Sequence, residues 1–200
     1  MMEMNADDAR RFLNNIDGVE RDTKRKTGLG AIGSPLMIWG LVWIVCYAIV
    51  YWLPQYAGKG WLIGDGIGVF ATICFGVWDS RKKEIVSTEL RAKSKRIWIA
   101  WGCWAAFLFG ILYMAWPMNG MQFGSVIVLM VMFMFVVTGL WLEVRFLIFI
   151  GCLIAAMTVL GYVLAEHEVI NGMRAYALWM SVVCGGLLFG SGVYARVRLE

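Results

Sequence analysis

Six apolar stretches, each 18–23 residues long, occupy 122 of the 200 positions in this chain. They run over residues 35–53, 61–78, 97–116, 121–142, 146–165 and 173–195. At about 1.5 Å rise per residue, each can cross a hydrocarbon core of about 30 Å as a helix. Hydrocarbon offers no partners to backbone N–H and C=O groups, so only helices or a closed barrel can span it. A barrel needs strands that alternate apolar and polar positions, and residues 126–137 (VIVLMVMFMFVV) do not alternate. The expectation is an all-α membrane protein, a six-transmembrane-helix bundle over residues 30–198. Composition agrees: 60% of residues are hydrophobic and 16% charged, against about 45–50% and about 25% in soluble domains. An ordinary cytosolic globule and a disordered tail are both excluded.

The breaks between spans carry turn or charge signals. Pro117, Met118, Asn119 and Gly120 separate the third span from the fourth. Residues 121–165 are nearly continuous and too long for one span, so the break is placed at Leu142-Glu143-Val144-Arg145, which holds the only charges there. Six spans put both ends of the chain on one side. That side collects 16 of the 18 basic residues, and only Lys59 and Arg174 fall on the other. The positive-inside bias then predicts a bacterial cytoplasmic (inner) membrane protein with both termini cytoplasmic. The net charge of +4 reflects that orientation, and no nucleic-acid partner is expected. The first apolar run starts near residue 35 with no small-residue cleavage pattern after it, so no signal peptide is expected. The five cysteines all lie within spans and none forms a CxxC, so no disulfide framework is expected.

Residues 1–29 form a basic N-terminal segment. Phe12, Ile16 and Val19 share one helical face within 5–23, which predicts a short amphipathic cytoplasmic helix before the bundle. Residues 79–96, the long basic connection, read as solvated extensions of the second and third helices. A weak internal repeat is also visible. Gly76, Gly139 and Gly192 each precede an aromatic dipeptide end and then an arginine, while Gly40, Gly102 and Gly151 sit at similar depth in the odd spans. This is consistent with three helical hairpins descended from one unit.

The second span has the strongest pattern. Gly60, Gly64, Gly68, Thr72, Gly76 and Ser80 recur every fourth residue, and Gly186 and Gly190 form a related pair in the last span. Small faces let helix backbones approach closely, so these are expected to be helix-packing positions, within or between protomers.

Few residues can carry chemistry. Asp65 is the one acidic residue inside a span, and intramembrane carboxylates commonly coordinate cations or move protons. It lies only about one turn inside the boundary, where a carboxylate can also reach water. Glu166, His167 and Glu168 form an external loop with the single histidine, a candidate ion contact or simply a solvated turn. Gly28-Leu29-Gly30-Ala31-Ile32-Gly33 spells GxGxxG but lacks the preceding strand of a dinucleotide fold. No metal site, cofactor or catalytic set is expected, and the chain is read as not an enzyme. The leading expectation is a small, oligomeric transport or channel-like protein. Backbone carbonyls of the second-span glycine face would line its path, with Asp65 concentrating cations at the mouth. The alternative is a regulatory or scaffold membrane subunit acting on a membrane partner through residues 1–29 and 79–96.

Overall fold

The computed structural model describes residues 32–82, 88–170 and 172–197. The amphipathic helix expected over residues 5–23 lies outside the described residues. No strand occurs among them, and six helices are long and apolar enough to cross a membrane. We name these α1 (Ile32–Trp52), α2 (Ala57–Lys82), α3 (Thr88–Met114), α4 (Gly120–Trp141), α5 (Arg145–Glu166) and α6 (Gly172–Val197). A 3₁₀ turn, Pro54–Tyr56, leads directly into α2. The second helix therefore starts before the apolar run does, because residues 57–60 are helical without being strongly apolar. Within α6, Met180–Gly185 form a π-helical segment.

Local chemistry sets the turns. Asn119 caps α4: its side chain accepts from the Gln122 N–H at 2.8 Å, and the Gln122 side chain accepts from the Asn119 N–H at 3.2 Å. This reciprocal box satisfies two donors that the first helical turn cannot bond itself. Asn119→Ala should lower stability by about 1 kcal/mol in thermal unfolding; an unchanged midpoint would mean that water replaces the cap at no cost. Between α4 and α5 the chain turns over Leu142, Glu143 and Val144. Glu143 adopts φ 57°, the Val144 N–H donates to Gly139 O at 2.8 Å, and the Glu143 N–H donates to Leu140 O at 3.3 Å. This is a Schellman ending, built with glutamate where glycine is usual. The break falls where the charges of residues 142–145 place it.

The helices pack antiparallel around a core drawn from α1, α4, α5 and α6, including Leu36, Trp43, Tyr47, Met132, Ile154, Tyr176, Met180 and Leu188. In α1 and α6 glycine replaces bulk at the crossing. A Cβ at Gly192 would lie 2.6 Å from the Met37 N, and one at Gly185 would lie 3.1 Å from the Ile44 N. The Ser181 hydroxyl donates to the Ile44 carbonyl at 2.8 Å, fixing the π segment against α1. Among helices α2 to α6, the α4–α5 pair is the most extensive contact of the described residues. Gly139 meets Ile148 there, and Gly151 meets the Met132 carbonyl. Four glycines of the sequence repeat (Gly40, Gly139, Gly151, Gly192) thus mark contacts between helices of different hairpins, not within one hairpin.

Helices α2 and α3 are peripheral. Among the described residues α2 does not approach α3. α2 lies on α1, where Trp61 meets Tyr47 edge-on with ring centroids 4.9 Å apart. α3 leans on α4 through Trp101 and Phe135, with centroids 6.2 Å apart.

Candidate functional site

The small face of α2 is occupied by α1. A Cβ at Gly60 would meet Ile49 at 3.2 Å, one at Gly64 would collide with the Cys46 sulfur, and one at Gly68 would meet Val42 at 3.3 Å. The Cys46 thiol also donates to the Gly60 carbonyl, Sγ to O 3.5 Å. Thr72 turns its hydroxyl back onto the Gly68 carbonyl at 2.7 Å, the usual way for a threonine in a span to satisfy its own donor. A Cβ at Gly76 would meet no atom within 4 Å. Within the protomer, side chains of α1 thus pack on the Gly60–Gly68 part of this face.

Asp65 takes a different position. Being one residue beyond Gly64, it is rotated about 100° from the face that packs on α1. Its side chain is exposed. The nearby Trp61 leans on Tyr47, whose hydroxyl would lie 3.4 Å from a Cβ on Gly124 of α4. Asp65 is thus held on a flank of α2 by the packing of its neighbours, and is not itself part of the core.

Glu166, His167 and Glu168 do not converge. All three are exposed and form the C-terminal turn of α5. The His167 N–H donates to the Val163 carbonyl at 3.0 Å, and Glu168 sits at φ 58° with its N–H 3.3 Å from the Ala165 carbonyl. Their backbone does structural work as a helix ending. No group of three or more His, Cys, Asp or Glu able to hold a metal occurs among the described residues.

Gly186 and Gly190 do not pack against another helix within the protomer. A Cβ at either would meet nothing within 4 Å. Gly185 and Gly192 turn toward α1, while Gly186 and Gly190 lie on another face of the helix and border an open groove beside α5.

Several buried polar contacts were not singled out by sequence spacing. The Ser125 and Tyr176 hydroxyls are 2.6 Å apart. The Thr158 hydroxyl donates to the Ile154 carbonyl at 2.8 Å and lies 3.6 Å from the Cys184 sulfur. The Trp179 indole N–H donates to the Met157 carbonyl at 2.9 Å. The signal in the sequence is the presence of hydroxyl and indole residues inside the apolar stretches, since such groups require partners in an apolar interior. Their geometry satisfies donors between helices and assembles no nucleophile–base pair. Comparison with protein-family models, curated proteins and solved structures finds no match to this chain.

Proposed function

We propose that this chain is a small oligomeric transport or channel-like protein of a bacterial cytoplasmic membrane, with both termini cytoplasmic. Its path would run along the exposed flank of α2 and be completed by a neighbouring protomer. The observation that carries this reading is the exposure of Asp65 on a flank of α2 that the protomer's own packing does not use. Carboxylates inside spans belong in water-filled paths or against partner groups, because lipid contact is costly. The separation of α2 from α3 among the described residues leaves that side accessible. Asp65 would concentrate cations at the outer mouth, and no catalytic step is part of this role.

The test is cation flux into proteoliposomes of verified orientation, comparing wild type with Asp65→Asn at matched density. Charge focusing at a pore mouth raises local cation concentration by 10-fold or more, so flux should fall by roughly tenfold while the thermal midpoint holds. Absence of flux for common monovalent ions and protons in wild type would sink the transport reading. It would leave the regulatory or scaffold role, exerted through residues 1–29 and 79–96, as the function to pursue.

A further inference from the structure

We propose that the ion handled at Asp65 is the proton. The carboxylate takes one up from the outer side, becoming the neutral acid, and its release toward the cytoplasmic side restores the carboxylate. The inference rests on the transport reading above and narrows its cation to one class.

Asp65 lies deeper than the apolar run suggests. Counted from that run it stands about one turn inside the boundary, but α2 starts at Ala57. The eight residues from there to Asp65 span about 12 Å along the helix. The helix it packs on gives a similar figure. Gly64 lies against Cys46, which is six residues, or about 9 Å, short of the outer end of α1 at Trp52. Asp65 therefore sits about a third of the way into a hydrocarbon core of about 30 Å, and the outer mouth reaches that far.

At this depth the two forms of a carboxyl group differ sharply. The charged form is costly next to hydrocarbon, and the neutral acid far less so. The side chain is exposed, and no hydrogen bond or ion pair joins it to another described residue. A metal cation takes several oxygen ligands at once, whereas a proton needs a single carboxylate oxygen.

The flank offers a route to and from the group. Gly58, Asp65 and Thr72 recur every seventh residue, so a regular helix aligns them within about 20°. A Cβ at Gly58, or at Gly66 beside the carboxylate, would meet nothing within 4 Å, which leaves room for water from the outer end. Two turns deeper, the Thr72 hydroxyl donates to the Gly68 carbonyl at 2.7 Å, so its oxygen remains an acceptor for water. Helix α1 brings two further titratable groups to this part of α2. The Cys46 thiol donates to the Gly60 carbonyl, and the Tyr47 ring packs on Trp61. Lys59, on α2 itself, stands six residues, or about 9 Å, nearer the outer end. Asp65 is the one acid on the flank.

The experiment uses full-length protein in proteoliposomes, with proton, sodium and potassium fluxes measured for wild type, Asp65→Asn and Asp65→Glu. Proton flux should fall by roughly tenfold or more in Asp65→Asn and persist in Asp65→Glu, while sodium and potassium stay outside in all three. Dicyclohexylcarbodiimide, an apolar reagent for protonated carboxyl groups, gives a second readout that needs no substitution. It should add once to the wild-type chain by intact mass, stop its proton flux, and leave Asp65→Asn unlabelled. Sodium or potassium flux that depends on Asp65 as strongly as proton flux does would overturn this inference and leave the transport reading standing. Absence of flux for every ion would remove both. A proton flux unchanged by Asp65→Asn, or equal labelling of that variant and wild type, would overturn the inference as well.

Discussion

Gly40→Val should lower the stability of the bundle by about 3 kcal/mol or more, enough to leave little folded protein in detergent. A Cβ built on Gly40 would lie 2.6 Å from the Phe189 Cα and 2.8 Å from its Cβ, and would also strike the Phe189 backbone nitrogen. Side-chain collisions relax when a flexible end swings away, but here the obstacle is backbone. Relief requires α1 and α6 to separate, which also strains the hydrogen bond from Ser181 to the Ile44 carbonyl. Overpacking of well-filled cores costs about 1–3 kcal/mol and sometimes more. Gly66→Val and Gly102→Val are the controls, since a Cβ at either meets nothing within 4 Å. Both should unfold within a few degrees of wild type, because valine is no poorer a helix former than glycine. If Gly40→Val melts with these controls, α1 and α6 do not cross as closely as described.

The second large effect is expected at Tyr176, which is completely buried. Tyr176→Ala removes a full aromatic side chain from the buried interior of the bundle. It should cost about 3–5 kcal/mol, as large aromatic-to-alanine changes in cores do. Tyr176→Phe keeps the ring and removes only the hydroxyl 2.6 Å from Ser125. Its cost should be near 1 kcal/mol, the range of interhelical hydrogen bonds in spans and of a stranded buried hydroxyl. Adding Ser125→Ala to Tyr176→Phe should recover part of that loss, because the orphaned partner is then gone. Thermal unfolding of the four proteins as a double-mutant cycle measures this, and equal losses for the alanine and phenylalanine variants would contradict the packing role.

The particular glycines show how far spacing alone can be taken. In α2, the four-residue recurrence of Gly60, Gly64 and Gly68 corresponds to a real contact face, because a regular helix keeps such positions aligned. In α6, the same spacing at Gly186 and Gly190 points to an open groove. The close approaches to α1 fall instead at Gly185 and Gly192. No apolar period distinguishes the two faces, since every residue around them is apolar or small. Asp65 was legible as an exception in composition. Its exposure, like the packing of neighbouring Gly64 against Cys46, depends on which way α2 is turned.

By itself, the sequence determined the number of long helices, their approximate limits and the break between α4 and α5, because hydrocarbon length and isolated charges are local properties of the chain. Turn chemistry at Asn119 and Gly120 belongs to the same class. Only the tertiary structure decided that α1, α4, α5 and α6 form the core while α2 and α3 stand at its edge. When nearly every helical face is apolar, hydrophobicity cannot choose between them. That choice falls to shape, to glycines where backbones cross, and to the few hydroxyl and indole groups that must find partners between helices.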